Sequence, residues 1–155
     1  MTVQDLIPYL AALHGIAATL WIGGMFFAYV AMRPAAVAEL EPPLRLKLFQ
    51  GAFRRFFMWV WLFIAVLLLT GYSGLFARFG GFSADYLAWM HNIGLLMCVI
   101  FVFLFFALYL PFSKAVDAGD LPKAAGLIGK IRWTVLVNLL LGVVITFVGI
   151  AGPYL

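Results

Sequence analysis

The sequence predicts an all-α integral membrane protein, a four-helix bundle with N-out/C-out orientation and cytoplasmic helical extensions. Three observations predict it. Hydrophobic residues make up 66% of the 155 positions, and the mean hydropathy is +1.12. Charged residues make up only 10%, against about 25% in a soluble domain. The apolar residues also gather into four runs near the roughly 20 residues that a bilayer-crossing helix needs. Four such runs occupy most of residues 1–155, so the chain reads as one transmembrane domain with short loops.

The first run extends from about residue 6 to 32 and is expected to end at Arg33-Pro34. No Lys or Arg precedes it, and it exceeds the apolar core of a signal peptide, so it is expected to be a retained span. The second covers about 56–77, between Arg54-Arg55 and Arg78. The third covers about 86–110 and is expected to close at Pro111, with Ser83 as a candidate N-cap and Asp85 in the first turn. The fourth covers about 133–151.

Charge gives the orientation. Arg33, Arg45, Lys47, Arg54 and Arg55 cluster after the first run, and Lys114, Lys123, Lys130 and Arg132 before the fourth. Arg78 alone falls on the other side. By the positive-inside rule the two clusters face the cytoplasm, and a multi-pass protein of a bacterial cytoplasmic (inner) membrane is expected. Pro42-Pro43 and Asp120-Leu121-Pro122 carry helix-start signals, which predict helices that extend beyond the apolar runs. The clusters could contact anionic membrane lipid. The net charge of +4 and pI of 9.5 follow from the same clusters, and no nucleic-acid partner is expected.

Several chemistries lack their residues. The single cysteine, Cys98, excludes an intrachain disulfide. No Asp or Glu lies in a span core, and no P-loop, CxxC pair, paired carboxylates or serine triad appears. Asn138 is expected to bond across helices. The GYSG stretch at Gly71–Gly74, with Gly142 and Gly149, is expected to mark tight helix contacts or a homodimer seam.

The two histidines, His14 and His91, both fall inside predicted spans, where an ionisable side chain points by default to function. Both runs start from the same side. At 1.5 Å per residue the imidazoles lie at depths of about 10 Å and 8 Å. Two level imidazoles on parallel helices suit bis-histidine ligation of haem b. Ala11, Gly15, Ala18 and Trp21 flank His14, and Ala88, Gly94 and Leu95 flank His91; the small ones leave room for a porphyrin edge, and aromatics can pack on its plane. Arg78, Tyr72 and Ser73 stand at the level where propionates would reach water. A structural histidine bonded to a neighbouring helix, with small residues for close packing, is the competing account. Copper is the metal alternative, through Met25, Met90, Met97 and Cys98. Cys98 lies about 10 Å deeper than His91, too far to share one ion with it.

LHGIAATLWIGGMFF resembles the first helix of the copper-resistance protein D (CopD) family, and RRFFMWVWLFIAVLLLTGY resembles its next helix. The whole chain also resembles the four-helix HemJ type of protoporphyrinogen oxidase, which has a first-helix histidine matching His14 and a third-helix Trp-x-His matching Trp89–His91. These patterns span about three-quarters of the chain. The HemJ resemblance implies haem b, a homodimer and redox chemistry on a tetrapyrrole. The chain has Ile93 where that family has lysine, which departs from the oxidase pattern and leaves haem ligation untouched. The expectation is a small b-type cytochrome, an oxidoreductase or electron carrier serving a quinone or a redox partner protein; a copper-transport or tetrapyrrole-oxidising role is the alternative.

Overall fold

The structure is a computed structural model, and it describes residues 3–154. The described residues are almost entirely helical, with no strand. Four continuous rods account for them: α1 (Gln4–Glu39), α2 (Pro42–Ala77), α3 (Asp85–Asp117) and α4 (Leu121–Tyr154), each long and apolar enough to cross a membrane. Helices satisfy their own backbone groups internally, which hydrocarbon demands. Phe26, Phe27, Trp59, Leu69, Phe76, Phe147 and Ile150 are each more than half exposed. In water that apolar surface would drive aggregation; in lipid it is the matching surface.

The rods run alternately up and down. Gln4 at the start of α1 bonds the Ala77 carbonyl at the end of α2, at 3.2 Å. Gln50 near the start of α2 donates to Ser113 Oγ at 2.9 Å and Asp117 Oδ1 at 2.8 Å near the end of α3. Gly149 and Gly152 of α4 lie against Met90 and Tyr86 of α3. The α1–α2 and α3–α4 junctions therefore share one end, which carries nine of the ten basic residues and is called the basic end below. The α2–α3 turn and the outer ends of α1 and α4 form the opposite end. Met1, Thr2 and Leu155 lie outside the described residues.

The expected helical extensions are present. α2 starts at Pro42 with proline in its first turn, and α4 starts at Leu121 with Asp120 Oδ1 accepting from the Lys123 N–H at 3.1 Å. Gly119 (φ +72°) ends α3: its N–H bonds the Val116 carbonyl and the Asp120 N–H bonds that of Ala115, a Schellman closure that glycine makes without strain.

Two expected helix ends are corrected. α1 does not stop at Arg33-Pro34, nor α3 at Pro111. In each, a π turn precedes the proline, Ala28–Met32 in α1 and Leu104–Tyr109 in α3. A proline in a regular helix lacks its N–H and clashes with the carbonyl four residues back. The wider turn shifts the pairing, so Arg33 N–H reaches the Ala28 carbonyl and Leu110 N–H reaches that of Phe105. The helix then continues past proline to Glu39 and Asp117. Ser83 is not the N-cap of α3 either. Ala84 holds that position with no side-chain cap, because Ser83 is tied back into the turn by its own N–H to the Gly81 carbonyl.

The core is aromatic and lies from mid-bundle toward the basic end. Phe49, Phe53 and Phe57, spaced four apart on one face of α2, stack at 5.9 Å and 5.3 Å. Phe101 and Tyr109 of α3 meet Phe57 edge-on at 5.5 Å and 5.1 Å, and Trp21 of α1 meets Phe101 at 6.1 Å. Glycines set the close approaches. A Cβ at Gly24 would collide with the Phe56 ring, and one at Gly142 would stand 2.9 Å from Ile22. Of the glycines expected to mark contacts, Gly71, Gly142 and Gly149 lie against His14, Ile22 and Met90, while Gly74 faces open space.

Candidate functional site

Both histidines are half-buried and lie toward the opposite end, away from the aromatic core. Each has a hydroxyl partner on α2, Thr70 for His14 and Tyr72 for His91.

His14 Nδ1 lies 2.9 Å from Thr70 Oγ1. Thr70 is one of two buried polar residues among those described. Its hydroxyl has one proton, and that proton goes to the Val66 carbonyl at 2.6 Å. Thr70 Oγ1 can then only accept from His14, so the imidazole proton sits on Nδ1 and the lone pair on Nε2. The ring also bonds the Leu67 backbone carbonyl of α2, and no side chain pairs with Nε2 among the described residues. Gly71 lets the ring come this close, since a Cβ there would stand 3.2 Å from His14 Cε1. Gly15, the next residue, has no neighbouring atom within 4 Å of where its Cβ would be, and Ala11, one turn back from His14, is exposed.

His91 has its own set. Nδ1 lies 3.3 Å from Asn92 Oδ1, and Nε2 lies 2.9 Å from the Tyr72 hydroxyl. The amide oxygen accepts from Nδ1–H, so the Tyr72 O–H donates to Nε2. The Phe82 ring stands edge-on to the imidazole at 5.2 Å. Gly80 (φ +68°) and Gly81 (φ +114°) turn the chain back after α2, which brings Phe82 over His91.

The histidines are level but not facing. Thr70 and Tyr72 differ by two residues, about 3 Å of helix rise. The same two residues point about 200° apart around α2. His14 therefore meets one face of α2 and His91 another, and α1 and α3 share no extended contact. The residues placed near propionate level are also distributed. Tyr72 is the partner of His91, Ser73 Oγ returns to the Leu69 carbonyl at 2.7 Å, and the Arg78 guanidinium lies over the Phe79 ring at 4.9 Å. Met25 and Met97 are core residues, Met90 packs on Gly149, and Cys98 is a half-buried free thiol. Among the described residues, no group of three or more His, Cys, Asp or Glu side chains gathers as a metal cage. Thr70, Asn92 and Phe82 complete the surroundings of the histidines and were not singled out from sequence. Thr70 stands in the Thr70-Gly71-Tyr72 stretch, where a small polar residue beside glycine was the available signal.

The rods and their lipid-matching surface define a multi-pass helical membrane protein. No family model, no curated protein and no solved structure matches the chain.

Proposed function

We propose that the chain is a small b-type cytochrome, a haem b-binding membrane protein with His14 as an iron ligand. The observation that supports it is the state of His14: the ring is held through Nδ1 by Thr70, no side chain pairs with Nε2 among the described residues, and the next residue, Gly15, borders open space. An imidazole oriented by a hydrogen bond at its far nitrogen is the usual arrangement of a metal-bound histidine. Bound haem would supply one-electron redox chemistry; the chain would supply ligation, orientation and burial.

His91 is the second ligand in this reading. Since it meets a different face of α2, it comes from another copy of the chain, its Nε2 leaving the Tyr72 hydroxyl. Exposed Ala11, Gly15 and Gly23 on α1 give a small-residue face on which a two-fold dimer can close. A homodimer would then hold two equivalent sites. In an inner membrane with the basic end cytoplasmic, they lie toward the periplasm, where a quinone or a redox protein is the partner.

The purified protein should be red, and its dithionite-reduced spectrum should be that of a low-spin, six-coordinate b haem. Co-expression of His14→Ala and His91→Ala chains should restore haem to mixed dimers, which retain one complete ligand pair, while either variant alone stays depleted. No recovery in isolated mixed dimers sinks ligation across copies, and a colourless wild type made with ample haem sinks the cytochrome. Orientation has its own check: a periplasm-active reporter fused to the C-terminus should be active, and a cytoplasm-active one silent.

A further inference from the structure

At the basic end, away from the histidines, a cavity of about 490 Å³ opens between α1, α2 and α4. That volume is within the range of small-molecule sites. Among the described residues its walls include Arg33, Arg45 and Arg132, and no carboxylate. These three arginines differ from the other six basic residues at this end. Lys47, Arg54, Arg55, Lys114, Lys123 and Lys130 are exposed, as topology signals commonly are, whereas the three cavity arginines are half-buried. Among the described residues none of the three has a hydrogen bond to a side chain or an ion pair; Arg132 only stacks on Trp133, at 5.5 Å. Tyr29, carried on the π turn of α1, lines the same wall. Deeper, the walls are wholly apolar, through Phe49 and Phe53 to Val135. Gly129 forms part of one wall, and a Cβ there would meet nothing within 4 Å.

Converging cations that lack counter-charges, set at the level where the rods leave the apolar zone, call for an anion. Apolar walls running inward from them call for a hydrocarbon body attached to that anion. We infer that this cavity is a binding site for one acidic phospholipid, its phosphate held by Arg33, Arg45 and Arg132 and an acyl chain lying along Phe49 and Phe53. Arginine suits the task because its planar fork pairs with two phosphate oxygens at once. The site is independent of the histidines and of any haem.

The test is native mass spectrometry of the full chain in mild detergent, titrated with dioleoyl phosphatidylglycerol or dioleoyl phosphatidylcholine. Each basic residue near an anionic lipid contributes about a factor of five, so three give about a hundredfold preference for the acidic lipid at one site. Arg33→Gln, Arg45→Gln and Arg132→Gln together should bring the two lipids to parity. Lys47→Gln, Lys114→Gln and Lys123→Gln, which remove equal charge outside the cavity, should leave the preference intact. Gly129→Phe should block the site with every charge retained, and the single arginine variants serve if the triple one does not fold. Equal binding of the two lipids by the wild type overturns the inference. So does equal loss in both charge-matched triples, which would mean diffuse attraction, and so does full displacement by inorganic phosphate, which would mean an anion site without a lipid.

Discussion

Replacing His14 by alanine is expected to yield an inserted, folded protein that no longer holds haem. The change removes the proposed iron ligand and little else. Thr70 keeps its bond to the Val66 carbonyl, so no buried donor is stranded, and His14 is only half-buried, so the void is small. Thr70→Val separates orientation from ligation. It deletes the Thr70 acceptor at Nδ1 while leaving the ring and the Leu67 carbonyl in place. Loss of such a partner costs about 10–100-fold in metal affinity, so haem occupancy should fall between the wild type and His14→Ala. Gly71→Ala should act in the same direction, because its Cβ would stand 3.2 Å from His14 Cε1 and press the ring out of position. Ser73→Ala, one turn from the site with its hydroxyl bonded within its own helix, is the matched control. The haem-to-protein ratio and the reduced-minus-oxidised spectrum check all four. Full occupancy in His14→Ala would remove His14 from the site, and an unchanged Thr70→Val would remove the orienting role.

The largest effect on stability is expected from Gly24→Leu. α1 is held between α2 and α4 by two bare-backbone contacts, Gly24 against the Phe56 ring and Ile22 against Gly142. Phe56 cannot simply swing aside, because its ring packs at 6.2 Å on Phe57, which is stacked into the Phe49–Phe53 ladder. A side chain at Gly24 has to push α1 off α2. Overpacking of this kind costs about 1–3 kcal/mol and at times more. The detergent melting midpoint should fall sharply, and Gly142→Leu should behave alike. Gly15→Leu and Gly23→Leu make the contrast, since neither glycine has a neighbour within 4 Å of an added Cβ. Those two should leave the monomer's midpoint unchanged. If α1 carries the dimer face, they should shift the protein to monomer by crosslinking and lower haem content with it. A Gly24→Leu protein as stable as the wild type would mean that α1 does not seat on α2 in this way.

Hydropathy made the four rods legible, because burial in lipid depends on composition along one helix at a time. The starts of α2 and α4 were legible for a similar reason: Pro42 and Asp120-Leu121-Pro122 act within their own first turns. The ends at Arg33-Pro34 and Pro111 were misjudged. Proline's obstruction is local, but its relief came from the turn before it, through residues such as Ala28 and Leu104 that carry no distinguishing signal. The histidines divide along the same line. Their depth adds up at a fixed rise per residue and could be counted. Their direction turns by about 100° per residue and depends on which neighbour each helix meets. That choice is made by contacts such as Gly24 on Phe56 and Gly149 on Met90, which the chain does not announce. The arginine-lined cavity was hidden likewise, since Arg33, Arg45 and Arg132 come from three rods and look like ordinary members of a topology-setting cluster.

The two π turns also bear on how such a chain can change length. A π turn is a helix carrying one residue more than its neighbours require, so it corresponds to an insertion absorbed without rotating the flanking segments. Elsewhere in these rods, deleting one residue would swing everything beyond it by about 100° and turn lipid-facing side chains into the core. Within 28–32 or 104–109 the same deletion would return the segment to regular α-helix and keep both flanks in register. It would also bring Pro34 or Pro111 back against a carbonyl, so a shortened rod would need that proline replaced in the same step. Sequences that diverge from this one by single-residue gaps should therefore show them at these two places, paired with the loss of the following proline.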